Sequence, residues 1–286
     1  MKILTIPGIG DIHWVMLKLE SWIEKNCPGE IPEVHVWNFD GRPRSEDFVR
    51  RIPFVKFGGY LNTKIEDLDS RQKKVFRRSY MTGRNGSEEK GFLGFDSYLC
   101  VNGQLRVGDQ MKNILPKYET NWDYKIDLKG TESKIKEPYI IFYFSDHGMF
   151  TQWVANLTPE KIKEFLSSIK GYRLILTGST WDGPFNKQLE DAGIENWCGD
   201  TSLDELLSLI RGASAFVGWC GGNTIISQHL NTPTLMLWSD YFPKRAFQTN
   251  WVKPEKIGTM YKNLNVENLS VKTLTRTLGD LLDKGK

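Results

Sequence analysis

Ile3-Leu4-Thr5-Ile6-Pro7-Gly8-Ile9-Gly10-Asp11 opens the chain, and Ala215-Phe216-Val217-Gly218-Trp219-Cys220-Gly221-Gly222-Asn223-Thr224 follows about two hundred residues later. Each stretch reads as an apolar strand, a tight glycine turn and the start of a helix. A parallel α/β layer makes its ligand site at such a turn. Glycine lets a ligand approach the backbone, and the free amides and dipole at the helix start attract an anion. One turn of this kind is weak evidence. One in each half points to two similar α/β lobes facing each other across a cleft.

The rest of the chain supports two doubly wound sheets. Strands are expected at Lys2 to Ile6, Val34 to Trp37 and Ile52 to Phe57, with helices at Ile12 to Asn26 and Gln72 to Tyr80. The segment from Phe92 to Cys100 is apolar and has no clear assignment. In the second half, Tyr139 to Phe144 reads as a buried strand. Thr158-Pro159-Glu160 is a helix start, with Thr158 as cap and Pro159 in the first turn. Further strands are expected at Tyr172 to Thr177, Ala215 to Val217 and Thr234 to Trp238, the last of them. Helices are expected at Asn186 to Ala192, Ser202 to Arg211 and Thr224 to Leu230. Strand–helix alternation of this kind builds parallel sheets. The expected domains are 1–132 and 133–268, joined by a lysine-rich linker, with a terminal helix in 269–286 packing back on the first domain.

A chain of 286 residues with 40% hydrophobic and 26% charged content is long enough for two cores. No run of ~18 apolar residues is present, so no spanning helix is expected. The first residues lack the pattern of a signal peptide. Four dispersed cysteines without a CxxC motif suggest a reducing cytoplasm and no zinc site. A monomer without cofactor is expected.

The net charge of +3 hides an uneven distribution. Residues 50–90 carry eleven basic and five acidic side chains, a local +6, with Phe54, Phe57, Tyr60, Phe76 and Tyr80 interleaved. Such a stretch is either a solvated face with its aromatics in the core or a surface for a phosphate-rich partner. Lys73, Arg77 and Arg78 are the candidates for that contact.

With these residues in view, the chain resembles GT-B glycosyltransferases, in particular the heptosyltransferase-like family 9. The N-terminal match is Gly8-Ile9-Gly10-Asp11. The longer match runs from Leu174-Ile175-Leu176-Thr177-Gly178, through Cys198-Gly199-Asp200-Thr201-Ser202-Leu203-Asp204-Glu205-Leu206, to Leu230-Asn231-Thr232-Pro233-Thr234. The chain departs from the family at Cys220-Gly221-Gly222, where an Asp-Ser/Thr-Gly triplet is usual, and at Ile225, where a His is usual. Thr151-Gln152 also precedes Trp153 where a basic residue is common. These departures touch donor-contacting positions, so ADP-heptose does not follow as donor. The resemblance implies a nucleotide-diphosphate sugar bound mainly by the second lobe and an acceptor bound mainly by the first.

Sugar transfer needs a base for the acceptor hydroxyl, charge stabilisation for the departing diphosphate and exclusion of water. The resemblance puts Asp11 at the base position, and Asp11 could also cap the helix at Ile12, a role that can coexist with the first. Gly221, Gly222, Asn223 and Thr224 are the expected diphosphate cradle, or else an ordinary tight connection. Thr177, Gly178 and Ser179 end a neighbouring strand and could line the same crevice. Ser145 and His147 follow the first strand of the second lobe and could meet phosphate or sugar. Lys244 and Arg245 follow Thr234 to Trp238 and could neutralise the diphosphate. Gly8 and Gly10 would leave room for the acceptor. His13, His35 and His229 are expected to be structural or solvated.

Asp67-Leu68-Asp69 matches an Asp-x-Asp metal motif only superficially, and transfer without metal is expected. A dehydrogenase reading lacks the third glycine of G-x-G-x-x-G, and a P-loop reading lacks Gly-Lys-Ser/Thr. The acceptor is expected to be a cell-envelope saccharide. A hydroxymethylated base in viral DNA fits the basic stretch as an alternative. A non-catalytic sugar- or nucleic-acid-binding module is a further alternative and would make Asp11 dispensable.

Overall fold

A computed structural model describes residues 1–81, 87–101, 111–128, 132–144, 157–182, 186–238, 252–267 and 269–284. The chain divides into two compact units. The first holds Met1–Asp127, and the second holds the described residues of Leu128–Pro243 and Val252–Lys286.

The first unit is built on a five-stranded sheet in the order β3-β2-β1-β5-β4. Its strands are β1 (Lys2–Thr5), β2 (Glu33–Trp37), β3 (Lys56–Leu61), β4 (Ser87–Lys90) and β5 (Ser97–Cys100). Four strands run parallel, and β4 pairs antiparallel with β5 at the edge. In the central β1, Ile3, Leu4 and Thr5 are fully covered, as residues of a strand buried on both faces must be, and only Lys2 at its start is exposed. Helix α1 (Ile9–Asn26) buries Ile12, Val15, Met16 and Leu19, the spacing of a core-facing stripe. Short helices α2 (Glu46–Arg50) and α3 (Ser70–Phe76) follow. The third strand lies four residues later than Ile52 to Phe57 suggested.

The second unit holds a six-stranded, all-parallel sheet in the order β11-β10-β9-β6-β7-β8. Its strands are β6 (Tyr139–Tyr143), β7 (Arg173–Leu176), β8 (Glu195–Asn196), β9 (Ala215–Trp219), β10 (Thr234–Trp238) and β11 (Tyr261–Asn265). Its helices are α4 (Pro159–Ser168), α5 (Leu203–Gly212), α6 (Gly222–His229) and α7 (Val271–Lys284). Thr158 caps α4 as expected, accepting the Lys161 amide. Ser202 and Glu205 close a reciprocal capping box on α5.

Two expectations need correction here. Thr234 to Trp238 is not the last strand, because β11 pairs with it in full register. The terminal helix belongs to the second unit. Its Leu274, Leu278 and Leu281 complete the core that also holds Phe165 of α4 and Leu237 of β10. An apolar stripe at i, i+4 and i+7 demands burial but does not say against what.

Candidate functional site

In the first unit, α1 starts at Ile9, three residues earlier than expected, with Gly8 as its N-cap at φ 114°. Only glycine adopts that backbone readily. A Cβ on Gly8 would also lie 2.6 Å from Asp11 Oδ2, so the bare backbone is what admits the carboxylate. Gly10 is buried in the same first turn. Asp11 is therefore not the cap residue. It sits inside the first turn, as the third residue of the helix.

Asp11 is partly exposed as a residue, but desolvation of its carboxyl group pushes it up to about 7, while the Arg44 guanidinium pulls the other way. Arg44 is itself held by Asp40, 2.7 Å from its Nη1. Desolvation wins because the solvent lost around the carboxylate is replaced by few compensating donors. A carboxylate that takes a proton near neutral pH is suited to general-base work.

The basic stretch resolves into ordinary structure and exposed charge. Phe76 lies in the core with its ring 5.1 Å from that of Trp37. Asp69 caps α3 through a capping box with Gln72, a structural task for the last residue of the Asp-x-Asp triplet. Lys73 Nζ donates to the Glu66 carbonyl at 2.9 Å. Arg78 pairs with Glu89, and Arg77 is exposed. His13 is structural, with Nδ1 buried 2.7 Å from the Tyr124 hydroxyl.

In the second unit, β9 ends at Trp219 and α6 begins at Gly222. The first amides of any helix lack intrahelical partners, and those of Gly222 and Asn223 belong to residues that are partly exposed. The Thr224 side chain is fully buried, and its hydroxyl donates back to the Trp219 carbonyl. The exposed part of this turn is Gly221, Gly222 and Asn223, each partly open to solvent. Tyr143, at the end of β6, walls the turn: a Cβ on Gly221 would stand 3.3 Å from its ring. Tyr143 belongs to no motif in the sequence. Its signal was its position at the end of a buried strand that pairs with β9.

The neighbouring Thr177, Gly178 and Ser179 form a turn closed from within. Thr177 is fully buried, its amide donating to the Phe142 carbonyl at 2.9 Å. The Ser179 amide donates to Asp182 Oδ2 at 2.7 Å, and a Cβ on Gly178 would lie 2.6 Å from that same oxygen. Asp182, which the sequence did not single out, organises this turn. Ser145, His147, Lys244 and Arg245 lie outside the described residues. Burial pushes the thiols of Cys198 and Cys220 up to about 12, and raises those of Cys27 and Cys100 as well. All four are protonated at neutral pH and are poor nucleophiles.

No protein-family model and no curated protein matches the sequence. Solved structures do match. The chain is similar to ADP-heptose LPS heptosyltransferase II of E. coli, at 16% identity over 99% of both chains with a TM-score of 0.59. It is similar to E. coli heptosyltransferase WaaC with ADP, at 12% identity over 98% of this chain and 100% of that one, TM-score 0.63. A family 9 glycosyl transferase from Veillonella parvula matches at 10% identity over 99% and 97%, TM-score 0.58. No helix among the described residues is long and apolar enough to cross a membrane. The two sheets, their order and these matches together give the chain the heptosyltransferase-like GT-B fold.

Proposed function

We propose that the protein is an inverting glycosyltransferase that moves a sugar from a nucleotide-diphosphate donor to a hydroxyl acceptor, with Asp11 as base. The observation that carries this reading is Asp11 itself: a carboxylate pushed up to about 7 by burial, in the first turn after a strand–glycine turn, within a GT-B fold. The acceptor oxygen bonds to the anomeric carbon as its proton passes to Asp11. The bond from that carbon to the diphosphate breaks on the opposite side, and the diphosphate leaves with the electron pair. Its negative charge rests on the backbone amides of Gly221 to Thr224 and on Lys244 and Arg245. A single displacement needs no protein nucleophile, in keeping with four protonated thiols.

The donor resembles those of the matched heptosyltransferases in class, a nucleoside diphosphate sugar. The acceptor is a phosphate-rich envelope saccharide whose phosphates meet Lys73, Arg77 and Arg78. Transfer requires no metal, so a chelator leaves the rate unchanged.

The test begins with a thermal-shift screen of UDP, ADP, GDP and CMP sugars. With the donor found, Asp11→Asn is expected to lower turnover about a hundredfold or more while donor affinity holds. Near-normal turnover in a correctly folded Asp11→Asn protein would overturn the assignment. Gly222→Val places branched bulk where the diphosphate must approach the backbone. Calorimetry should find nucleotide affinity abolished in a protein whose melting curve is retained.

A further inference from the structure

A cavity of about 570 Å³ opens beside α5, at the β8 edge of the second unit. The sheet order sets β8 three strands from β9. At a strand spacing of about 4.8 Å, the cavity edge is about 14 Å across the sheet from the glycine turn. One wall is Trp197. Its indole N–H donates to Glu195 Oε2 at 3.2 Å, and the Arg173 guanidinium sits 5.5 Å from its ring centre. Arg173 is gripped in turn by both oxygens of Glu195, at 2.5 and 2.7 Å, and by Glu137 at 2.9 Å. The aromatic wall is thus fixed before any ligand arrives, which lowers the ordering cost of binding.

The linker side is anchored as well. The Tyr139 hydroxyl donates to the Leu209 carbonyl at 2.8 Å and lies 3.0 Å from Ser133 Oγ. Hydroxyls of Ser133 and Thr201 and carboxylates of Glu132 and Asp200 edge the opening. Among the described residues that line it, Lys134 is the one cation against three carboxylates, the third being Glu205, which is occupied by its cap on Ser202. A surplus of negative charge repels phosphate. The edge is rich in acceptors and calls for a ligand that supplies hydrogen-bond donors. The apolar wall calls for one that also has a flat, non-polar face.

We propose that this cavity is a saccharide-binding site, distinct from the glycine turn, that takes an uncharged sugar ring. The ring lies against Trp197, and its hydroxyls donate to Asp200 and Glu132. The Ser133 and Thr201 hydroxyls fill the remaining positions. The site is independent of the transfer reading, because binding here needs neither Asp11 nor a donor.

Saturation-transfer NMR with methyl glucoside, methyl galactoside, methyl mannoside and N-acetylglucosamine tests it, each at tens of millimolar. At least one sugar should give a signal in the wild-type protein. The signal should vanish in Trp197→Ala, fall at least fivefold in affinity in Asp200→Asn and persist in Trp197→Phe, which keeps a ring and guards against misfolding. Excess ADP should not displace it. The proposal fails if no sugar binds, if binding survives Trp197→Ala, or if ADP competes. Binding of spermidine in place of every sugar would also overturn it, by making the cavity a cation site.

Discussion

Asp11 carries a charge that folding opposes. Its carboxyl rises from an ordinary 3.8 to about 7 because burial penalises the ionised form. The folded protein therefore binds this proton more tightly than the unfolded chain does. Stability must fall as pH rises from about 3.8, and the loss must level off above about 7. Asp11→Asn removes the penalty. Its melting midpoint should exceed the wild-type value by an amount that widens from pH 4 to pH 7 and is constant above, read by calorimetry across that range. A gap independent of pH would place Asp11 in water. The position of Asp11 was legible in the sequence, because strand, glycine turn and helix can be read from residue types. The carboxylate resting on Gly8 was not, since that contact depends on a helix starting three residues early. Thr177 and Thr224 show the same limit. A hydroxyl that binds a ligand and one that returns to its own backbone are identical in sequence, and here both turn inward.

Among the elements, edge strand β4 shows why pattern alone falls short. Ser87-Glu88-Glu89-Lys90 has no apolar residue and no strand signal, yet it pairs with β5 along its whole length. What fixes it is Glu88. Its carboxylate accepts the Trp22 indole N–H at 2.7 Å and the Tyr118 hydroxyl at 2.8 Å, and pairs with Lys117 at 2.6 Å. Burial alone would raise this carboxyl, but the hydrogen bonds from Lys117, Trp22 and Tyr118 outweigh it and hold it below 4.5. The network ties β4 to α1. Glu88→Gln should lower stability by about 2–4 kcal/mol at pH 7, as expected when a buried charged partner is lost. The deficit should shrink as pH falls below 4.5, where the wild-type carboxyl also loses its charge. Urea titrations of both proteins at several pH values would read this. Strands β8 and β11 escaped for related reasons. The first is two residues long, and Tyr261-Lys262-Asn263-Leu264-Asn265 alternates too weakly to stand out.

For the whole molecule, two α/β units could be read from the spacing of strands and helices, but the ownership of α7 could not. Its leucines face α4, β10 and β11 in the second unit. Leu278 is 2% exposed, so Leu278→Ala should destabilise that unit by about 2–5 kcal/mol through lost burial and the cavity left behind. Chemical denaturation followed by tryptophan fluorescence should detect it, and a change under 1 kcal/mol would mean that the helix is peripheral.

The same helix sets an order of events at the ribosome. Residues 1–127 of the first unit can be complete while the second is still being made, and domains generally fold as they emerge. The second unit has no such freedom. Its core lacks Leu274, Leu278 and Leu281 until the final stretch of that unit has left the exit tunnel. Until then, the apolar faces of α4 and β10 stay open to solvent and to chaperones. A nascent chain stalled after Met1–Asp127 has emerged but before residue 271 would present that segment ahead of a second unit whose core is still incomplete.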